Sequence, residues 1–202
     1  MREIVPGILT WPWFSEPHGY NFNGHLVLHR EGNICIDPVE PDAASLEELC
    51  RRSVAKILLT NRNHVRAANQ VKAKTGARTA IHAADAAYAR SRAAELDDEL
   101  RVGEKVGPVQ VVAVPGKSPG EVALWWPERG ILIVGDAVIG NPPGSLTLLR
   151  ETVIDDPPTL RESVRSLLRL DFDTVLVGDG ESVLESAKEK LRDLVATFPG
   201  PG

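Results

Sequence analysis

The residues of this chain that could do chemistry stand in short polar loops, each directly after a predicted strand. Histidine and carboxylate side chains act as general acids, general bases or metal ligands, whereas lysine binds anions and stabilises negative charge. Loops at the ends of strands are where layered α/β folds build their sites. The residues concerned are Asn61, Asn63 and His64, followed by Lys117, Asp136 and Asp179.

Hydrophobic patterning predicts the elements that must position these loops. Residues 25–29 and 33–37 are short β-rich runs separated by turn residues, which is typical of a hairpin. The apolar run 55–60 predicts a strand buried on both faces, and a helix over 66–75 follows it, with Gly76 as its C-cap. The other predicted strands are 78–82, 109–114, 122–126, 131–134 and 174–177, and the other predicted helices are 45–52, 84–95, 158–170 and 183–196.

Composition indicates one globular domain over residues 1–202, with residues 198–202 expected to be a disordered tail. The chain is 43% hydrophobic and 25% charged, and its net charge of -5 argues against a nucleic-acid partner. It has no apolar run of about 18 residues, so we expect no membrane partner. The start lacks the apolar region of a signal peptide, and the two cysteines have no C-x-x-C spacing. These features predict a cytoplasmic protein.

Four motifs in a fixed order make most of the chain resemble the metallo-β-lactamase fold superfamily, in its glyoxalase-II-like branch. The ordered set is more specific than any one motif. The resemblance implies an α/β (α+β) fold, a four-layer αββα sandwich with mixed sheets. It also implies, in most members, a hydrolase with two zinc or iron ions at one rim. The motifs are residues 23–28 with 34–38, residues 57–60, residues 116–124 with 133–137, and residues 175–180.

The first metal-ligand motif is replaced. The family places H-x-H-x-D-H after the threonine that corresponds to Thr60, whereas His64 falls on a position that this motif does not use. An amide oxygen is a weak neutral ligand, valine has no donor atom, and arginine repels a divalent cation. The four ligand positions hold Asn61, Asn63, Val65 and Arg66.

The later ligand positions change in the same way. Lys117 stands where the resemblance places the next histidine and Asp179 where it places the last, while the bridging aspartate is retained as Asp136. Arg66 and Lys117 would balance the two carboxylates in charge and occupy the volume of the lost metals. We therefore expect no cofactor; zinc, iron or manganese would bind only at a site rebuilt from Asp136, Asp179 and His64.

These replacements predict a pseudo-enzyme with a degenerate metal site that binds a small, anionic molecule. The alternative is a surviving hydrolase of esters, thioesters or lactones that uses Asp136 and His64 as catalytic residues, with a single metal or none. By fold alone, the label of hydrolase would rest on analogy. The predicted ligand-binding residues are Asn61, Asn63, Arg66, Lys117, Asp179 and His18.

The same residues also have structural interpretations. The asparagines and His64 fit a cap for the helix that follows them. The polar loops also fit an ion network of Lys117, Asp136 and Asp179 that holds two loops together. We favour this structural role over a ligand-binding or acid–base role, because no motif supplies a nucleophile. A cluster of aromatic residues near the start of the chain suits a lid, core packing or a homo-oligomer contact.

Overall fold

Two mixed β-sheets stack face to face, and helices cover both outer faces. The computed structural model describes residues 1–200. The first sheet contains β1 Arg2–Val5, β2 Ile8–Ser15, β3 Tyr20–Val27, β4 Asn33–Ile36, β5 Val54–Leu59, β6 Arg78–His82 and β7 Asp98–Leu100. The second contains β8 Lys105–Val106, β9 Val109–Ala113, β10 Val122–Trp126, β11 Ile131–Ile133 and β12 Thr174–Leu176. The helices are α1 Ala43–Arg51, α2 Ala68–Thr75, α3 Ala83–Ser91, α4 Pro157–Leu167 and α5 Ala187–Ala196.

Both sheets combine antiparallel and parallel pairs. The first sheet has the order β1-β2-β3-β4-β5-β6-β7, antiparallel up to β4 and parallel from β4 to β7. The second has the order β12-β11-β10-β9-β8, in which β11 and β12 are parallel. Parallel neighbours end at the same edge of a sheet, and the loops that follow them therefore lie side by side.

Three layers of buried side chains hold the sandwich together. Ile36 and Leu124 belong to the cluster between the two sheets. Leu49 of α1 belongs to the cluster that packs the first sheet against α1, α2 and α3. Leu160 of α4 and Leu191 of α5 belong to the cluster that covers the second sheet. The predicted four-layer αββα sandwich is confirmed.

Near the start of the chain, β2 and β3 form a hairpin of which the sequence predicted only the end of β3. Strand β2 contains Pro12. Because a proline inside an apolar run argues against a strand, β2 was not predicted. Trp11 is buried, whereas Trp13 and Phe14 are 42% and 51% exposed. The homo-oligomer contact therefore stays a prediction, which sedimentation would test.

The starts of α1 and α2 differ from the prediction. Asp42 caps α1, its side chain accepting a hydrogen bond of 2.7 Å from the backbone N of Ser45, so the helix begins before the predicted position. Helix α2 begins at Ala68 and not at Arg66, whose φ of 28° is not helical. Gly76 ends α2 in the left-handed conformation, as predicted.

The predicted C-terminal tail begins at Phe198. Phe198 packs against the cluster that covers the second sheet and lies 5.4 Å from the guanidinium of Arg165. Residues 201 and 202 lie outside the described part of the chain. Within residues 1–200, every helix is too short or too polar to cross a membrane.

Candidate functional site

His64 lies between two carboxylates at the rim where the parallel strands end. Its Nδ1 is 2.9 Å from Oδ2 of Asp37, after β4, and its Nε2 is 3.0 Å from Oδ1 of Asp136, after β11. The imidazole is fully buried. Burial and Arg66 lower the pKa of His64, but Asp136 and Asp37 outweigh both and raise it to about 10. His64 is therefore an imidazolium at neutral pH, with a proton on each nitrogen.

Asp37 is held by the start of the loop that carries His64. Its Oδ1 accepts from the backbone N of Thr60 at 2.8 Å, and its Oδ2 accepts from the Thr60 hydroxyl at 2.6 Å. Burial raises the pKa of Asp37, but His64 and the Thr60 hydrogen bonds outweigh it and leave the pKa below its ordinary value. Asp37 thus orients the imidazolium from the side opposite Asp136.

Asp136 meets a second cation on its other oxygen. Its Oδ2 is 3.6 Å from Nζ of Lys117, which also donates to Oδ1 of Asn63 at 3.2 Å. Burial raises the pKa of Asp136, but His64 and Lys117 outweigh it and hold the pKa well below its usual range. A carboxylate this strongly paired is a poor proton acceptor.

The loop that carries Lys117 is fixed by Asp85 of helix α3. Oδ2 of Asp85 accepts from the Ser118 hydroxyl at 2.5 Å and from the backbone N of Arg62 at 2.9 Å. Its Oδ1 accepts from the backbone N of Gly120 at 2.9 Å. One buried carboxylate therefore ties together the two loops that supply Lys117 and His64.

Arg66 forms the second ion pair of the site. Its Nη2 donates to Oδ1 of Asp179 at 3.1 Å, and its guanidinium lies 4.3 Å from the centre of the Phe22 ring. Burial and Asp136 raise the pKa of Asp179 to about 6, although Arg66 opposes the shift. Asp179 therefore titrates close to neutral pH.

Glu121 is buried beneath Asp136. Its Oε1 accepts from the backbone N of Asp136 at 2.8 Å and from Nδ2 of Asn61 at 3.3 Å. Burial and Asp136 raise the pKa of Glu121 well above its ordinary value. Above it, three cations (His64, Lys117 and Arg66) pair with three carboxylates (Asp37, Asp136 and Asp179).

Close packing at two glycines brings these loops together. A Cβ on Gly135 would lie 2.3 Å from the hydroxyl of Thr60, and its φ of 55° is itself unfavourable for other residues. A Cβ on Gly178 would lie 3.0 Å from Cε1 of His64. The absence of a side chain at both glycines therefore leaves space for Thr60 and His64.

Aromatic residues of the β2–β3 hairpin cover one side of the site. Burial raises the pKa of Tyr20 in this hairpin, and the negative charges of Asp179 and Asp136 raise it further. His18 is exposed, and its Nδ1 lies 2.7 Å from the Ser15 hydroxyl. Its ring is 5.1 Å from that of Phe22. His18 therefore reaches the site through Phe22 and is not paired with either carboxylate.

The structure brings together every other residue that the sequence singled out. The interpretation of the asparagines as helix caps is wrong, because no side chain caps α2 within the described residues. Asn61 instead accepts from the backbone N of Asn63 at 2.8 Å and donates to Glu121. Four buried residues of the network were not predicted as site residues, although the first two lie within motifs of the resemblance: Asp37, Thr60, Asp85 and Glu121.

Comparison with known proteins agrees with this architecture. The family model described as "Metallo-beta-lactamase superfamily" matches residues 2–198. A hydroxyacylglutathione hydrolase of Cereibacter sphaeroides is 30% identical over 186 residues, covering 90% of this chain and 69% of that protein. A second, of Methylobacterium sp., is 30% identical over 143 residues, covering 67% of this chain and 52% of that protein.

Solved structures share the fold. The protein TTHA1623, in a di-iron-bound form, superposes with a TM-score of 0.66 at 26% identity, covering 86% of this chain and 94% of that one. DIM-1 metallo-β-lactamase superposes with a TM-score of 0.77 at 17% identity, covering 96% of this chain and 95% of that one.

The side chains of this rim do not fit a metal pair of the kind that such folds hold. His64, Asp136 and Asp179 each offer a ligand atom, all within 4.8 Å of one another. Both nitrogens of His64, however, face carboxylates and carry protons, so the ring has no lone pair to donate. The cationic ends of Arg66 and Lys117 occupy the approach to the two aspartates.

Proposed function

This chain belongs to the metallo-β-lactamase superfamily, and we propose that it is a metal-independent pseudo-enzyme whose rim binds a small anionic molecule. One observation carries the proposal: cations stand at two positions where the resemblance places histidine ligands, and both are paired with the remaining carboxylates. Arg66 is 3.1 Å from Asp179, and Lys117 is 3.6 Å from Asp136.

Charge balance supports this reading. A buried carboxylate without a partner is strongly destabilising, and removing one member of a buried ion pair typically costs about 3–5 kcal/mol. In metal-binding relatives the ion can supply that positive charge. Here His64, Arg66 and Lys117 supply it from the chain itself, so the site needs no cation from solution.

The acid–base state of Asp179 supports the choice of an anionic ligand. Because its pKa is about 6, this carboxyl gains a proton as the pH falls from 7 to 5, and Arg66 then loses its anionic partner. The site then carries one unbalanced positive charge on the face where the guanidinium lies. An anion from solution would pair with it in place of Asp179.

Metal content tests the first half of the proposal. We would incubate the purified chain with zinc, manganese or iron, remove the excess, and measure bound metal by elemental mass spectrometry. We expect far less than one ion per chain for each metal. About one tightly held ion per chain, lost in Asp136→Ala, would overturn the proposal.

Sulfate binding tests the second half, because sulfate keeps its charge between pH 5 and 7. Calorimetry should show tighter binding at pH 5 than at pH 7, by about tenfold if one unit charge is released. Asp179→Asn should bind sulfate at pH 7 as tightly as the unmodified chain does at pH 5. Equal affinity at both pH values in the unmodified chain would count against an anion site at Arg66.

A second candidate function is hydrolysis without metal, and the pKa of Asp179 is the observation that favours it. A carboxyl that titrates near pH 6 can activate a water molecule, whereas Asp136 is too strongly paired to do so. Arg66 and Lys117 would stabilise the oxyanion that forms. The relatives named hydroxyacylglutathione hydrolase point to a thioester as the first substrate to test.

The test is hydrolysis of an S-acyl-glutathione thioester with and without chelator. On this second function, the rate should be unaffected by EDTA and should fall at least a hundredfold in Asp179→Asn. Activity abolished by EDTA would indicate a metal enzyme, and activity unaffected by Asp179→Asn would reject Asp179 as the base.

A further inference from the structure

Strand β2 has an open edge near the tip of the β2–β3 hairpin. Strand β1 pairs with β2 only as far as Thr10, which lies opposite Arg2, whereas β3 pairs with β2 as far as Ser15. Among the described residues, no strand therefore lies beside residues 11–15 on the β1 side. A strand edge with free backbone groups is a template for pairing with another extended chain.

The register of the hairpin shows which backbone groups point to this edge. In an antiparallel ladder, pairs that bond to each other alternate with pairs whose backbone groups point away from each other. Phe14 lies opposite Asn21, and Pro12 lies opposite Asn23. The backbone O of Asn21 and the backbone N of Asn23 bond to residues 178–180, on the far side of β3. The N–H and C=O of Phe14 and the C=O of Pro12 therefore point to the open edge, where a proline without an N–H is tolerated.

A cleft follows the same edge, between β2 and the turn that leads into α1. Its volume is about 410 Å³. A cavity of about 150 Å³ can hold a benzene molecule, so this cleft admits more than one side chain of a partner. The three consecutive residues of β2 that border it are exposed to solvent. The lining includes Pro12, Trp13, Phe14, Glu40, Pro41 and Asp42.

The charge along the cleft is negative. Glu40 and Asp42 are both exposed. Glu40 accepts from Nε2 of Gln70 at 3.1 Å, Asp42 accepts from the backbone N of Ser45 at 2.7 Å, and neither forms an ion pair within residues 1–200. The amino group of Met1 also borders the cleft and donates to the Ser45 hydroxyl at 3.1 Å. Two carboxylates against one amino group leave the cleft suited to a cationic partner.

We propose that the open edge of β2 binds an extended basic segment of a partner protein, which adds as a strand beside residues 12–14. Its backbone would bond to Phe14 and to the C=O of Pro12. Every second side chain of an added strand lies on the same face, so alternating basic residues would reach Glu40 and Asp42 together. Their stems and charged ends would pack on the exposed ring of Trp13. A second copy of this chain would bring a like-charged cleft to the contact, which disfavours it as the partner.

NMR titration of the full chain with short peptides tests this proposal. The probe is a capped pentapeptide of alternating lysine and valine that begins and ends with lysine. It should bind at least about tenfold more tightly than the same peptide with glutamate in place of lysine. A form methylated on every backbone nitrogen has no N–H to donate and should bind at least about tenfold more weakly. The backbone amide of Phe14 should exchange with solvent at least about tenfold more slowly at saturating peptide.

Matched variants separate the cleft from the rest of the surface. Trp13→Ala should weaken binding of the lysine peptide about fivefold or more. Tyr88→Ala is the control, since Tyr88 is also 42% exposed but lies outside the cleft, and it should change the affinity less than about twofold. Glu40→Gln should weaken binding about two- to threefold. Glu47→Gln, at an exposed position of α1 outside the cleft, should leave it unchanged.

Equal affinities for the lysine and glutamate peptides would overturn the inference, and so would an unchanged exchange rate at Phe14. Equal losses in Trp13→Ala and Tyr88→Ala would do the same. Sedimentation of the chain alone tests the other occupant: a dimer that dissociates in Trp13→Ala would show that this edge pairs two copies, and would also overturn the proposal. These outcomes leave the anion site at the rim untouched, because the residues of the cleft do not belong to its ion network.

Discussion

Nε2 of His64 lies 3.0 Å from Oδ1 of Asp136, although 72 residues of chain separate the two. On the other side of the ring, Nδ1 lies 2.9 Å from Asp37. The imidazolium is therefore a buried cation shared by two carboxylates at the rim of the sandwich. Four predictions follow from this network and its packing.

Removing the imidazole should strongly destabilise the fold. His64→Ala leaves Asp37 and Asp136 buried without their shared partner, and we expect a loss of about 3–5 kcal/mol in the free energy of unfolding. Urea denaturation at pH 7 measures it. His18→Ala, at an exposed histidine, is the control and should change the value by less than about 0.5 kcal/mol. A similar small change in His64→Ala would mean that the network contributes little.

Stability should fall as the solution becomes alkaline. The pKa of His64 is about 10 in the folded chain and about 6.5 in the unfolded chain, so the folded state binds more protons between these values. Its contribution is complete below pH 6.5 and is lost as the pH rises through about 10, by at most about 1.4 kcal/mol per pH unit. Urea midpoints from pH 6.5 to 9 measure the slope. His64→Gln should remove it; an unchanged slope in that variant would assign it to another group.

Lys117 and Asp136 should be energetically coupled. Lys117→Met should destabilise the chain by about 1–3 kcal/mol, because Asp136 loses the second of its two cationic partners. A double-mutant cycle with Asp136→Asn measures the coupling. The losses in free energy of unfolding of the two single variants, added together, should exceed the loss of the double variant by at least about 1 kcal/mol. Strict additivity would show that the 3.6 Å separation reflects proximity without interaction.

Gly135 should tolerate no side chain. Gly135→Ala combines a positive φ of 55° with a Cβ only 2.3 Å from the Thr60 hydroxyl, and should cost about 3 kcal/mol or more. Gly144→Ala is matched in conformation, with a φ of 78° and no atom within 4 Å, and should cost about 1–2 kcal/mol. Thermal or urea unfolding of the pair isolates the contribution of close packing. Equal losses would show that the Thr60 loop moves aside.

The sequence by itself determined the fold and its family, because these rest on signals that are local in the chain. The apolar runs 55–60 and 122–126 predict buried strands from the local pattern alone. The ordered motifs also showed which metal-ligand positions were replaced, and that Arg66 and Lys117 stood at two of them. Strand β2 was not predicted, because Pro12 interrupts its apolar pattern.

Only the tertiary structure decided what the replaced positions do. His64 occupies a place that the family motif does not use, and its role depends on Asp37 and Asp136, which reach it from different strands. The role of Glu121 was equally invisible in the sequence. The physical reason is that burial and Coulomb interactions depend on distance in space, and the folding of two sheets against each other sets those distances.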